Sequence, residues 1–242
     1  MKNTPFTPIS TNPDPPLRSC INIDIHIEPV RHKTRAYKNF IKEFREALVP
    51  HKWQKFIGEV HVSWLLFQDE QTRAETDKMA DLDNMVKGLN DAIKGPDGLL
   101  IDDSQIQSLK VTWLPREFDH EPHIRLRIED PFILAIREPV RIYEMSDKRF
   151  YPLHAYDIGS RQEKLILNAF DSSISMTHNL ADKLLDNPED QKERFAFRQK
   201  FGAISQGFMK TRVADSGFEV VPYEDWRPRI APDPRHTFDT ES

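Results

Sequence analysis

Residues 81–107, DLDNMVKGLNDAIKGPDGLLIDDSQIQ, contain two acidic pairs, one at the start of a helical pattern and one after it. The first pair is Asp81 and Asp83, and the second is Asp102 and Asp103. Between them, apolar residues recur at steps of three and four, as on one face of a helix: Leu82, Met85, Val86, Leu89 and Ile93. The run GPDG that follows predicts a turn at the end of this helix.

The length of the chain between the acidic pairs allows the second pair to return to the first. A helix over residues 82–94 is about 20 Å long at 1.5 Å per residue. Residues 95–103 span at most about 30 Å when extended. Carboxylates gathered in this way repel one another unless a cation neutralises them. Because oxygen ligands suit Mg²⁺ and Mn²⁺, the pattern predicts a site for a divalent metal ion.

Each of these residues also has an ordinary structural explanation. Asp81 or Asp83 can cap the helix and stabilise its positive end, and the second acidic pair can form a polar turn. Lys87 can pair with Asp83, four residues earlier, on a solvated face. Short motifs match by chance, so these explanations are favoured for any single residue. Chance accounts much less well for the ordered combination.

The elements D-L-D-N-x-x-K, N-D-A-I and I-D-D-S-Q-I, in this order, closely resemble the signature of the RusA family of Holliday junction resolvases. The resemblance implies that Asp81, Asp83 and Asp103 bind the catalytic divalent metal, Mg²⁺ or Mn²⁺. It also implies that Lys87 is needed for cleavage. Whether Asp102 binds the metal as well stays open.

This resemblance covers about residues 20–130 and is specific over residues 81–107. It implies a metal-dependent endonuclease that resolves Holliday junctions or other branched DNA by paired nicking in recombination and repair. It also implies a homodimer, in which each subunit nicks one of two symmetric strands. A non-catalytic DNA-binding protein of the same fold is one alternative, which the intact Asp and Lys positions disfavour. Another D-x-D metal-dependent phosphate-transfer enzyme is the second, and the missing Gly-rich nucleotide loop disfavours it.

The composition of the 242-residue chain limits its class and its location. No apolar run approaches the length of a membrane span, and no signal peptide precedes the first motifs. A single cysteine, Cys20, excludes an intrachain disulfide and fits the reducing cytoplasm. The net charge of −5 argues against a general nucleic-acid binder, so the local distribution of charge matters more.

A basic segment precedes the acidic stretch. Residues 31–55 contain eight Lys or Arg and two Glu, so that eight minus two gives a local charge of +6. Apolar residues predict a helix here that ends before Pro50: Tyr37, Phe40, Ile41, Phe44 and Leu48. The basic residues are expected on its outer face and in its leading loop, either as a solvated surface or as phosphate contacts. Beside a nuclease site the second interpretation is favoured, and the candidate DNA-binding residues are Arg31, Lys33, Arg35, Lys38 and Lys42.

The apolar patterns predict an α+β fold. Alternation predicts strands over 21–27, 57–67, 106–111 and 124–128, of which the second is central. A polar connection is expected over residues 68–80. Together these segments predict a small mixed β-sheet of about four strands with helices packed on one face.

The predicted domain organisation follows from changes in composition. The four predicted segments are a flexible N-terminal lead (1–20), a RusA-like nuclease domain (21–133), a mainly helical C-terminal extension of unknown function (134–221) and a flexible tail (222–242). Within the extension, helical patterns occur at 161–170, 176–186 and 189–205. The extension contains no motif with known chemistry.

Overall fold

The computed structural model describes residues 17–27, 35–75, 82–116, 123–132, 134–187, 189–201, 207–214 and 216–230. The chain divides into two compact units, Met1–Val140 with Asp215–Gly217 and Arg141–Ala214 with Phe218–Ser242. The first unit contains the acidic stretch and all four predicted strands.

In its described residues, the first unit contains six strands and three α-helices. The strands are β1 (Cys20–Ile25), β2 (Gln54–Phe56), β3 (Val60–Gln68), β4 (Ile106–Pro115), β5 (His123–Glu129) and β6 (Ala135–Arg137). The helices are α1 (Arg35–Leu48), α2 (Glu70–Glu75) and α3 (Leu82–Ile93). The short helix α2 lies where the sequence predicted only a polar connection. The other two helices were predicted.

Four of these strands form one mixed sheet in the order β1-β5-β3-β4. Strand β5 is antiparallel to both β1 and β3, whereas β4 is parallel to β3. Strand β3 is therefore central, as predicted. Its Trp64 stands opposite Leu126 of β5 and Val111 of β4 and is fully buried.

The core of the first unit lies between this sheet and the helices α1 and α3. It combines alternate residues of the strands with the predicted apolar stripes of both helices. The two helices approach closely at Gly88, where a Cβ atom would lie 2.7 Å from the ring of Tyr37. The structure confirms the α+β class, with helices packed on a small mixed sheet.

Strands β2 and β6 form an antiparallel pair that no sequence pattern predicted. Each has only three residues, which is too short for alternation to be recognised. In β2, Gln54 and Lys55 are also fully buried polar residues. Strand β6 lies beyond residue 133, where the sequence placed the end of the nuclease domain. Glu138 follows it and lies 3.1 Å from the Lys55 Nζ atom.

The described part of the second unit combines a small sheet with four α-helices. Strands β7 (Val140–Glu144), β8 (Phe150–His154) and β9 (Val220–Val221) form a sheet in the order β8-β7-β9. The helices are α4 (Arg161–Leu184), α5 (Gln191–Phe201), α6 (Lys210–Val213) and α7 (Tyr223–Trp226). This region is mainly helical, as predicted. None of the described helices combines the length and the apolarity that a membrane crossing needs.

Two segments of the second unit differ from the prediction. The predicted helices 161–170 and 176–186 are one helix, α4, because its polar middle is anchored: Asp171 is buried and accepts a hydrogen bond of 3.0 Å from the Ser146 N–H. The predicted tail from residue 222 begins with α7. There Trp226 is fully buried and donates its Nε1–H to the Glu144 carbonyl at 2.8 Å.

Candidate metal and phosphodiester site

Helix α3 carries Asp83 and Lys87 one turn apart, and both are exposed. Asp83 lies in the first turn, where the helix dipole favours negative charge. The position of α3 on the sheet is fixed by its buried apolar stripe and by one polar contact. Trp64 of β3 donates its Nε1–H to Oδ1 of Asn90 at 3.1 Å.

A fully buried lysine fixes the turn that follows α3. The ammonium of Lys55 donates to the carbonyls of Gly95 at 2.9 Å and Gly98 at 2.7 Å. Gly95 has a φ of +84°, which favours glycine at this position. Burial lowers the pKa of Lys55, and the nearby carboxylate of Glu138 opposes this effect. The turn is thereby anchored to β2 before the chain reaches the second acidic pair.

Gln105 anchors the second acidic pair through four hydrogen bonds and is itself buried. Its Oε1 atom accepts from the N–H groups of Ile101 at 2.7 Å and Asp102 at 3.0 Å. Its Nε2 atom donates to the carbonyls of Phe56 at 3.0 Å and Gly58 at 2.8 Å. The glutamine in I-D-D-S-Q-I therefore links the acidic turn to the last residue of β2 and to the segment that follows it.

The two aspartates of the second pair have different surroundings. Asp102 is buried, and its Oδ1 accepts a hydrogen bond of 3.1 Å from the Ser104 N–H, which forms a capping box with Gln105. The side chain of Asp103 is 39% exposed, and its Oδ2 lies 3.1 Å from the Lys94 Nζ atom. Asp102 thus acts as a cap, whereas Asp103 is presented to solvent.

Asp83, Lys87 and Asp103 line one cavity of about 460 Å³ between α3 and β4. The chain therefore returns from the turn to the side of α3, as the length of the connection allows. The other residues of the cavity wall are mostly apolar: Leu82, Val86, Asn90, Leu109 and Val111. Asp81 lies outside the described residues.

The donors in this cavity suit a hard divalent cation. Asp83 and Asp103 both supply carboxylate oxygens, and Mg²⁺ commonly takes one or two carboxylates and completes its shell with water. Within the described ranges, no three His, Cys, Asp or Glu side chains are placed to hold a metal together. The described part of the chain thus provides two of the three ligands that the resemblance implies, and Asp81 is the third.

Lys94, which no sequence motif singled out, contacts Asp103 directly. Its Nζ atom also lies 3.0 Å from Oδ1 of Asp91, three residues earlier. Burial works to lower the pKa of Lys94, but the hydrogen bonds to the two carboxylates outweigh it and raise the pKa. Tyr37 in turn donates its O–H to Oδ2 of Asp91 at 3.3 Å. Burial, together with Asp91, raises the pKa of Tyr37 to about 12.

Part of the predicted basic surface is present on α1. Lys38 and Lys42 are exposed and lie one turn apart, on one side of the helix. Arg31 and Lys33 lie outside the described residues, as does the side chain of Arg35.

Two other cations of this segment are not on the outer face, and for them the prediction is wrong. Arg45 donates to three carbonyls at the end of α3, those of Asp91 at 3.3 Å, Ala92 at 3.4 Å and Lys94 at 3.4 Å. Lys55 is buried beneath the turn. Both are drawn inward because the last carbonyls of a helix and of a tight turn need donors.

Comparison with protein families matches residues 15–129 to the family described as Endodeoxyribonuclease RusA. The matched region includes β1 to β5, α1 to α3 and the residues of the candidate site. The match confirms the family resemblance of the D-L-D-N and I-D-D-S-Q motifs. Among curated proteins, no match to the chain is found.

Proposed function

We propose that this protein resolves Holliday junctions or other branched DNA by metal-dependent paired nicking, because residues 15–129 match the RusA endodeoxyribonuclease family. One observation carries the proposal. Two acidic residues and a lysine of the family signature, Asp83, Asp103 and Lys87, line the same cavity although they come from separate segments. We place the activity in the cytoplasm, where the single cysteine stays reduced.

The metal ligands that we propose are Asp81, Asp83 and Asp103, with Mg²⁺ or Mn²⁺ as the ion. When bound, such an ion would stabilise the charge that develops on the scissile phosphate and make an attacking water more acidic. Asp83 reaches the cavity from α3, and Asp103 reaches it from the loop before β4. The Lys55 and Gln105 anchors hold this loop at a fixed distance from the sheet.

Lys87 is the proposed phosphate-binding cation. It lies one turn beyond Asp83 on α3 and lines the same cavity. An ammonium at this position attracts the phosphate and stabilises the negative charge that increases in the transition state. Apolar wall residues such as Val86 and Leu109 lower the local polarity, which strengthens these electrostatic contacts.

DNA outside the cleavage site would contact α1. Lys38 and Lys42 are exposed on this helix, and α1 packs against α3 where Tyr37 meets Gly88. Charge neutralisation of phosphates dominates DNA affinity and does not depend on sequence. Arg31, Lys33 and Arg35 stay in the proposed DNA-binding set as residues of the segment leading into α1.

Paired nicking requires two sites, and we propose a homodimer for this reason. A four-way junction has two-fold symmetry, so a two-fold dimer presents one site to each of two equivalent strands. Strand β4, ten residues long, is the last strand in the sheet order and forms one wall of the cavity. An edge strand offers backbone groups to a second copy.

A comparison of DNA substrates tests the proposal. Purified protein and Mg²⁺ are incubated with a four-way junction, a flap and a linear duplex that share the same arm sequences. We expect cleavage of the junction at symmetric positions in two strands, with little cleavage of the duplex. Junction binding without cleavage would instead identify a non-catalytic DNA-binding protein. Absence of both binding and cleavage would favour a different phosphate-transfer reaction.

A further inference from the structure

We infer that Lys94 is a positioning residue that orients the carboxylate of Asp103 for metal binding, and that Asp91 holds Lys94 in place. The inference rests on the proposed function, because it requires Asp103 to be a metal ligand. Lys94 contacts the carboxylate of Asp103, and we do not assign it a contact with the metal ion.

The contacts at Asp103 leave one oxygen for the metal. The ammonium of Lys94 lies 3.1 Å from Oδ2 of Asp103 and restrains the rotation of this carboxylate. The Oδ1 atom accepts no hydrogen bond from any residue in the described ranges, and Asp103 lines the cavity. One oxygen is therefore restrained while the other is available to a cation.

The base of the Lys94 side chain is itself fixed. Lys94 directly follows α3, and its backbone forms a β-bridge with Leu100. Its carbonyl accepts a hydrogen bond of 3.4 Å from Arg45 Nη2. Tyr37 holds Asp91 from the side of α1. Since both the lysine backbone and its second carboxylate are held, the ammonium is pre-positioned beside Asp103.

The charge balance explains how the Lys94 ammonium can hold Asp103 without weakening the binding of a metal ion to this carboxylate. An isolated ammonium next to Asp103 would repel a divalent ion. Asp91 lies 3.0 Å from the same ammonium and neutralises it, so the Asp91–Lys94 pair adds no net charge to the site. The pair can therefore hold Oδ2 without opposing metal binding at Oδ1. Partners that orient a ligand in this way commonly contribute 10- to 100-fold, as an order of magnitude, to metal affinity.

A charge-balanced double variant tests this role. Asp91→Asn with Lys94→Met removes one charge of each sign, so that the net charge near the metal does not change. The matched control is Asp97→Asn with Lys52→Met, because Asp97 lies in the turn after α3 and forms an ion pair of 3.0 Å with Lys52, and neither residue contacts Asp103. The affinity for Mn²⁺ without DNA is measured by electron paramagnetic resonance on the full-length protein. Lys94→Arg, which keeps the charge and donors, is the conservative variant.

We expect the Asp91/Lys94 double variant to bind Mn²⁺ more weakly than the wild type, by a factor of about ten or more. The Mn²⁺ affinities of the Lys52/Asp97 control variant and of Lys94→Arg should lie within about threefold of the wild-type value. The control should have little effect because surface ion pairs contribute little. If a folded Asp91/Lys94 variant binds Mn²⁺ like the wild type, or if the control loses as much affinity, the positioning role is refuted. If the double variant does not fold, Lys94→Gln replaces it, and equal Mn²⁺ affinities of Lys94→Gln and Lys94→Arg refute the role.

The proposed function and this inference fail in different ways. If Asp103→Asn does not weaken Mn²⁺ binding, Asp103 is not a ligand and the proposed metal site itself is wrong. If Asp103→Asn weakens Mn²⁺ binding but the Asp91/Lys94 variant does not, only the positioning role of Lys94 is lost.

Discussion

The Oε1 atom of Gln105 accepts a hydrogen bond of 3.0 Å from the backbone N–H of Asp102, in the turn that presents Asp103 to the cavity. The glutamine side chain thus replaces backbone partners that an irregular loop would lack. The same side chain also donates to the carbonyl of Phe56, at the end of β2, and to that of Gly58, so it links the acidic turn to this strand.

Replacing Gln105 with Leu should destabilise the protein strongly. The substitution removes four hydrogen bonds and takes from two N–H groups and two carbonyls the partner that Gln105 provides. We expect the free energy of unfolding to fall by about 3 kcal/mol or more, since each unsatisfied buried group costs about 1–3 kcal/mol. Urea unfolding followed by circular dichroism measures the change. Gln71→Leu is the control, because the side chain of Gln71 is exposed and bonds, among the described residues, to Glu75 one turn later, and a change below about 0.5 kcal/mol is expected.

The second acidic pair should separate into a structural and a functional residue. Asp102→Asn keeps the side-chain oxygen that caps Ser104, so junction cleavage should stay within about tenfold of the wild type. Asp103→Asn removes a proposed ligand charge, and cleavage should fall by orders of magnitude. Single-turnover cleavage of the same junction compares the two variants. The opposite ranking would assign the metal to Asp102.

The buried ammonium of Lys55 should be far more important for stability than the neighbouring surface lysine. Lys55→Met removes the ammonium donor from the carbonyls of Gly95 and Gly98, of which Gly95 keeps the Gly98 N–H, and leaves Glu138 without this cation. Loss of one partner from a buried ionic cluster costs about 3–5 kcal/mol. Lys52→Met breaks only the partly exposed pair with Asp97 and should cost at most about 1 kcal/mol. Thermal and urea unfolding measure the loss of stability in both variants. Equal losses of unfolding free energy in Lys55→Met and Lys52→Met would contradict the account.

The sequence predicted a nuclease domain that ends at residue 133, whereas the first compact unit extends to Val140. Cutting at residue 133 removes β6, the partner of β2, and also Glu138. A fragment of residues 1–140 should therefore unfold at a higher temperature than residues 1–133 and keep more junction cleavage. Differential scanning calorimetry measures the first quantity. Equal unfolding temperatures would show that β6 and Glu138 contribute nothing to the nuclease domain.

Much of the first unit was predictable because its residues follow clear periods. The alternation of Ile21, Ile23 and Ile25 marks β1, and the three-and-four spacing around Leu89 marks α3. The length of the connection allowed Asp103 to return to the side of α3, and in the structure Asp103 lines the same cavity as Asp83. These features depend on local pattern and chain length alone.

The missed features depend on contacts between distant segments. Lys55 looked like a solvated cation, and its burial follows from turn carbonyls 40 and 43 residues away. Trp226 lies in a stretch rich in Pro and Arg, and it is folded because its Nε1–H and its ring find partners in the second unit. Lys94 carried no motif, since its role depends on a carboxylate nine residues later across a turn. Periodicity does not report such pairings.

The most direct test of the central claim is the Mg²⁺ dependence of four-way junction cleavage in the wild type and in Asp83→Asn. Asp83→Asn keeps the shape of the side chain and removes one charge from the proposed metal site. Single-turnover rates are measured on saturated junction across a Mg²⁺ titration, with EDTA as the metal-free reference. We expect the wild type to nick paired strands only with added Mg²⁺ or Mn²⁺, and Asp83→Asn to bind the junction but cleave it orders of magnitude more slowly. Wild-type rates for Asp83→Asn, or full cleavage in EDTA, would contradict the account.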